Sequence, residues 1–120
     1  MSNDRLAVYL EQMHAAAVQA CEFADGMTLD DFLADARTQM AVGMALVLIG
    51  ESAARIMAQR PDFCTEHPEV PWAKMKGMRN FVVYDYYEME LPLVLATVQT
   101  SLPDLIFHLD NLRHWRVQGE

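Results

Sequence analysis

The sequence predicts an all-α protein, an antiparallel up-down bundle of four to six helices. Apolar residues recur at every third or fourth position along nearly the whole chain, which is the spacing of a helix that buries one face. Glycine and proline are few, five of each among 120 residues, and no segment reads convincingly as a strand. Because this length is typical of one domain, residues 1–120 are predicted to form a single helical domain.

The first two helices are predicted from their capping residues. Asp4 is a suitable N-cap for a helix whose apolar stripe continues to about Phe23, and Gly26 follows where that helix must end. Thr28 precedes two acidic residues, Asp30 and Asp31, so that a hydroxyl cap and first-turn acids predict a second helix start.

The longest helix is predicted from about Asp35 to Arg60. Its run from Ala41 to Gly50 is apolar nearly all round, which indicates a helix surrounded by other helices. That run is far shorter than the ~20 residues that span a bilayer, so it predicts a buried core helix and no membrane span. Gly43 and Gly50 share one face, and because glycine costs a helix about 1 kcal/mol, they predict a close approach by another helix.

Prolines divide the second half of the chain. Residues 61–71 contain three prolines and are predicted to be an irregular connection. Pro71, Pro92 and Pro103 are each predicted to open a helix, because the first turn of a helix tolerates a missing N–H, and Ser101 is a plausible cap for the last one.

The charge restricts the classes of partner. The formal net charge is −8, so the chain lacks the overall positive field of a protein that coats nucleic acid. Contact with RNA would need a local basic cluster, for which the candidates are Lys74, Lys76 and Arg79, and the looser pair Arg55 and Arg60. The N-terminus has no signal-peptide pattern, and we expect a cytoplasmic protein.

The segment from Lys74 to Tyr87 is the remaining candidate for chemistry. The sequence has no CxxC, HExxH, Gly-x-Ser-x-Gly or phosphate-binding glycine loop, so no metal or cofactor is predicted. At helical spacing Arg79 and Tyr86 share one face, and Asn80 and Tyr84 share the adjacent one. The residues alone leave two interpretations open: a functional site, or a structural Arg–Asn pair with tyrosines that pack at the rim of the core.

Five short motifs in this order resemble one known family. They are Phe32-Leu33-x-Asp35, Ile49-Gly50-Glu51-Ser52-Ala53, Val70-Pro71-Trp72, Arg79-Asn80 and Leu102-Pro103-x-Leu105. Together they cover essentially the whole chain and resemble the HepT-like proteins of the HEPN superfamily, which are the toxins of HEPN–MNT toxin–antitoxin modules.

The resemblance implies a metal-independent endoribonuclease that works as a homodimer. The family signature is Arg-Asn, about three residues, His, one residue and Tyr, with Arg and His of two protomers meeting at the interface. Arg79, Asn80 and Tyr86 match this signature, whereas Tyr84 occupies the position of the His. The resemblance therefore implies Arg79, Asn80 and the position of Tyr84 as the catalytic set, with Lys74 and Lys76 as candidate RNA contacts.

Tyr84 predicts an inactive or weakened enzyme. Histidine exchanges protons near neutral pH and arginine binds phosphate with two hydrogen bonds, whereas a phenol ionises only near pH 10. Loss of a general acid or base typically lowers a rate by about 10²–10⁴. Two interpretations of Tyr84 stay open: a natural loss of the reaction, or a substitution introduced or selected so that a toxic protein could be produced.

The resemblance also implies a partner. An MNT-type nucleotidyltransferase antitoxin would transfer AMP from ATP to Tyr86, which would add bulk and negative charge beside Arg79. The alternative hypothesis is a non-catalytic helical dimer that binds a nucleotidyltransferase or RNA as a regulator.

Overall fold

A central helix with one long helix on each side forms the body of the protein. The structure is a computed structural model that describes the backbone of residues 5–118 and the side chains of residues 5–112. Its helices are α1 (Leu6–Phe23), α2 (Leu29–Leu33), α3 (Ala36–Gln59), α4 (Pro61–Glu66), α5 (Trp72–Asp85), α6 (Leu91–Ala96) and α7 (Leu102–Gln118). Both α1 and α5 pack along α3, and α7 packs on α1. Residues 5–118 contain no strand, and the all-α prediction is confirmed.

Local capping sets the connection from α1 to α3. Gly26 has a φ of 71°, a left-handed conformation that suits glycine, so the chain turns there as predicted. Thr28 and Asp31 form a capping box with two bonds of 3.1 Å, which confirms the predicted start of α2. Asp35 caps α3 by accepting from the Thr38 amide at 3.0 Å. Asp4, the predicted cap of α1, lies outside the described residues.

Helix α3 is the core helix that the sequence predicts. Its inward side chains are almost fully buried, among them Val42, Ile49, Ala53 and Ile56. By length and hydropathy alone α3 would pass as a membrane span, but half of its most apolar window is buried inside the protein. Core helices of soluble proteins pass the same test, so this property gives no information about location.

Close packing of α5 on α3 depends on two glycines. A Cβ at Gly50 would overlap the Cβ of Arg79 and lie 2.6 Å from the carbonyl oxygen of Met75. A Cβ at Gly43 would lie 3.3 Å from a ring carbon of Tyr86. The close approach predicted from the two glycines is therefore confirmed, and it brings the Arg79 end of α5 against α3.

The proline-rich connection is more helical than predicted. Residues 61–71 were expected to be irregular, but Pro61 occupies the first turn of α4, a six-residue helix. Proline suits this position because its missing N–H would have no partner there. Only the stretch from His67 to Pro71 is non-helical, and α5 begins directly after Pro71.

Pro103 lies in the first turn of α7, as predicted, but no loop separates this helix from α6. The segment Thr97–Ser101 is a π-helical turn that joins α6 to α7 without a break. A proline inside a helix removes one backbone hydrogen bond and crowds the carbonyl four residues earlier, and a wider turn just before it relieves this conflict. Pro92 likewise lies in the first turn of α6, as predicted.

We predict that Gly50→Ala destabilises the protein, because the added methyl group would meet the backbone and Cβ atoms of α5. The expected loss is about 1–3 kcal/mol of unfolding free energy, measured by urea denaturation. Gly77→Ala is the matched control: it also lies in a helix, and a Cβ there would meet nothing within 4 Å. That variant should gain about 0.5–1 kcal/mol. Equal stability of the two variants would contradict the close packing.

Candidate active site

Arg79 is held on the inner side of α5 by two side chains. Its Nη1 donates to Oε1 of Glu51 on α3 at 2.6 Å, and its Nε and Nη2 donate to Oδ1 of Asn80 at 2.9 and 2.6 Å. The arginine side chain is 19% exposed. Three of its five N–H groups are thus engaged, and the remaining two can still bind an anion. The guanidinium is fixed in place and reachable from solvent.

The carboxylate of Glu51 lies between two arginines. Its Oε1 pairs with Arg79, and its Oε2 lies 3.8 Å from Nη2 of Arg55, one turn further along α3. Arg55 in turn lies over the ring of Tyr9 on α1, with 6.0 Å from its guanidinium carbon to the ring centroid. Arg5 lies 5.8 Å from the same ring. A continuous row of charged and aromatic groups therefore extends from Arg79 across α3 to α1.

Tyr9 is the buried member of this row. Its ring is 5% exposed, and its hydroxyl accepts a hydrogen bond of 3.2 Å from Gln59. That bond, followed by a bond from Arg55 and the positive charges of Arg5 and Arg55, lowers the pKa of the phenol below its usual value despite the opposing effect of burial.

Tyr84 is far more exposed than Arg79. Its side chain is 79% exposed, and the neighbouring Tyr87 is 92% exposed, so both project into solvent. Arg79, in contrast, is directed toward Glu51 on α3. Within one protomer, therefore, the two key side chains of the predicted catalytic set have different surroundings.

Tyr86 lies on the α3 side, as Arg79 does. It belongs to a 3-10 turn, Tyr86–Glu88, that follows α5. Its ring is partly buried against the core near Gly43 and meets the ring of Tyr87 edge-on, with centroids 5.5 Å apart.

The two predicted lysine contacts occupy different surroundings. Lys74 lines an apolar groove between α5 and α6, together with Met78 and Leu93, and this groove does not include Arg79. Lys76 is exposed on α5. The sequence also offered Arg55 and Arg60 as a looser basic pair. Arg60 forms an ion pair of 3.1 Å with Asp62.

Sequence reasoning missed three members of the site. Glu51 stood within a recognised motif, but nothing in the sequence indicated that it binds Arg79. Arg5 is the N-cap of α1 and Tyr9 lies in the first turn and a half of that helix, both far in sequence from Arg55, so only the packing of α1 on α3 brings the three together. The i, i+4 spacing of Arg5 and Tyr9 was the one available signal.

Apolar side chains are exposed on the two helices that carry Arg79 and Glu51. On α3 they form a stripe at every fourth residue, in which Met40 and Met44 are each 58% exposed and Leu48 is 43% exposed. On α5, Val83 is 52% exposed, next to the exposed Tyr84. Contiguous exposed apolar side chains of this kind are typical of interaction surfaces.

A family model described as "Ribonuclease HepT-like" matches residues 13–112, which include Arg79, Asn80, Tyr84 and Tyr86. The chain belongs to the ribonuclease HepT-like family. The resemblance predicted from the short motifs is thereby confirmed.

Individual relatives support the HepT-like assignment. A "Probable ribonuclease HepT" of Thermococcus cleftensis is 35% identical over 105 residues, 88% of this chain and 93% of that protein. A "Putative RNase" of Methanocaldococcus jannaschii is 30% identical over 76% of this chain and 73% of that protein. Another "Putative RNase", of Caldanaerobacter subterraneus, is 28% identical over 81% of this chain and 84% of that protein. No solved structure matches the chain significantly.

Proposed function

We propose that this HepT-like chain is the toxin of a HEPN–MNT toxin–antitoxin module, an endoribonuclease by descent that is inactive or weakened because Tyr84 stands at the position of the catalytic histidine. The observation that carries the proposal is the fixed Arg79. Its guanidinium is paired with Glu51 and Asn80, yet it keeps two N–H groups for a phosphate. An arginine held in this way suits the stabilisation of a phosphorane.

The active site of this proposal is built from two protomers. Arg79 bonds to Glu51 on α3, whereas Tyr84 is exposed and can enter a cleft on a second copy. The exposed stripe of Met40, Met44 and Leu48 on α3, together with the exposed Val83 of α5, supplies apolar surface for such a homodimer. In that arrangement Arg79 of one protomer would share a phosphate with position 84 of the other.

The proposed chemistry is attack of a ribose 2′-hydroxyl on the adjacent phosphate. The reaction needs a group that accepts the hydroxyl proton, a donor for the leaving oxygen and a cation beside the phosphorane. Arg79 supplies the cation, and no metal is part of the mechanism. Tyr84 can donate a hydrogen bond to the phosphate, but as a phenol it is a poor base at neutral pH.

We predict that Tyr84→His restores RNA cleavage, because imidazole exchanges protons near neutral pH. The expected gain in rate is about 10²–10⁴ over the parent, measured on RNA in the presence of a metal chelator, together with arrest of cell growth on expression. Tyr87→His is the matched control, since it places the same group on an exposed tyrosine three residues away.

Two results would overturn the nuclease proposal. The first is a folded, dimeric Tyr84→His protein that neither cleaves RNA nor slows growth. The second is equal activation by Tyr87→His, which would show that position 84 has no special role. The first outcome would favour a non-catalytic dimer that binds RNA or a nucleotidyltransferase.

We further propose that an MNT-type nucleotidyltransferase is the partner and that both act in the cytoplasm. Transfer of AMP from ATP breaks the bond between the α- and β-phosphates, joins the α-phosphate to the Tyr86 hydroxyl and releases pyrophosphate. Tyr86 and Arg79 both lie on the α3 side of this segment, so an adenylate there would bring negative charge toward the arginine.

We predict that incubation with such an enzyme, ATP and Mg²⁺ adds the mass of one AMP per chain, detected by mass spectrometry. Tyr86→Phe should abolish this addition because it removes the acceptor oxygen. Tyr87→Phe is the control and should still be modified. Modification that persists in Tyr86→Phe would contradict the assignment of the acceptor.

A further inference from the structure

A groove between α1 and α3 lies next to the Arg79 site. Its volume is about 670 Å³, and its lining includes polar side chains from both sides: Arg5 at the N-cap of α1, Gln12 and Gln19 of α1, and Glu51 and Arg55 of α3. Because Glu51 also holds Arg79, the groove and the proposed catalytic arginine share a wall. A ligand that reaches Arg79 can therefore continue into the groove without leaving the surface of the protein.

Two arginines converge at the base of the groove. The guanidinium groups of Arg5 and Arg55 each lie within about 6 Å of the Tyr9 ring centre, in cation–π contact. Tyr9 is buried and bonded to Gln59, so it is a rigid support for both. The arginines themselves are accessible: Arg5 is exposed, and the side chain of Arg55 is 58% exposed.

This region is positive in an otherwise acidic chain. The row contains three guanidinium groups, from Arg5, Arg55 and Arg79, and one carboxylate, from Glu51. Glu51 pairs closely with Arg79 and lies 3.8 Å from Arg55, while Arg5 contacts the neutral ring of Tyr9. An anion that binds beside Tyr9 would be attracted by the positive charges of both Arg5 and Arg55.

We propose that this groove is a second RNA subsite, in which Arg5 and Arg55 bind backbone phosphates of the strand whose scissile phosphate lies at Arg79. This inference rests on the proposed ribonuclease function and adds the path of the substrate to it. The family match begins at residue 13, so Arg5 and Tyr9 lie outside the part of the chain that the family model covers.

The geometry fits an extended polyanion better than a small anion. Arg5 and Gln19 are fourteen residues apart on α1, a length of about 21 Å at 1.5 Å per residue, which accommodates several nucleotides. Guanidinium groups bind phosphate oxygens with two hydrogen bonds, and the amides of Gln12 and Gln19 can bond to ribose hydroxyls or base edges. The groove thus offers charge at one end and neutral polar groups along its length.

The experiment measures binding of a fluorescent single-stranded RNA to the parent chain by anisotropy across a salt series. The double variant Arg5→Gln/Arg55→Gln should raise Kd about tenfold at roughly 0.1 M salt. It should also lower the slope of log affinity against log salt by about 1.4, because each phosphate contact on a single strand contributes about 0.7. Arg37→Gln, an exposed arginine of α3 that does not line the groove, is the control and should change neither quantity.

A second variant separates charge from folding. Arg5→Lys/Arg55→Lys keeps both charges and should retain most of the salt slope, although its affinity falls because lysine cannot bind phosphate bidentately. Thermal melts of all variants check that each is folded. If the Gln and Lys double variants lower the salt slope by the same amount, the arginines stabilise the structure of the groove and do not bind phosphate, and the proposal fails.

The remaining outcomes distinguish the subsite from the nuclease. RNA binding that depends on Arg79 but not on Arg5 and Arg55, or that falls equally with Arg37→Gln, overturns the subsite alone. Weaker binding by the groove variant combined with an inert Tyr84→His protein supports the subsite and overturns the nuclease. A parent chain that does not bind RNA overturns both.

Discussion

The close contact between α5 and α3 at Gly50 is the constraint on which the proposed site depends. Because Gly50 has no side chain, the Cβ of Arg79 approaches the α3 backbone within a distance that no other residue at position 50 would allow. This approach places Glu51, the next residue of α3, within 2.6 Å of the arginine. Asn80 binds the same guanidinium from α5 itself. The contact between α3 and α5 therefore positions the Arg79 side chain and partly neutralises its positive charge through Glu51.

The same contact explains why one protomer is insufficient for the proposed chemistry. Arg79 faces inward against α3, whereas Tyr84 lies on the outer side of α5 and is largely exposed. Positions 79 and 84 lie on adjacent faces of α5, but the Arg79 side chain bonds to Glu51 on α3 whereas the Tyr84 side chain projects into solvent. This divergence is why we propose that the second position comes from another chain, for which the exposed apolar stripe on α3 offers a surface.

Much of this fold was predictable from sequence, because local rules decide it. Helical periodicity predicted α1, α3 and α5, the Thr28 capping box predicted α2, and Gly43 and Gly50 predicted the α3–α5 contact. The helical turn at Pro61 and the π turn before Pro103 were missed, since proline is compatible with both a break and a continuation, and tertiary packing decides between them. The Arg–Asn pair was visible in sequence, whereas the bond from Arg79 to Glu51 and the convergence of Arg5 and Arg55 on Tyr9 require the packed helices.

A subunit-mixing experiment tests the two-protomer site most directly. The parent has Arg79 but no histidine at position 84, and the double variant Arg79→Gln/Tyr84→His has the histidine but no arginine. We expect each protein to be inert alone and their re-associated mixture to cleave RNA, because a mixed dimer contains one complete site. A mixture that stays inert, although dimers exchange and Tyr84→His alone is active, would show that the site forms within one chain and would contradict this account.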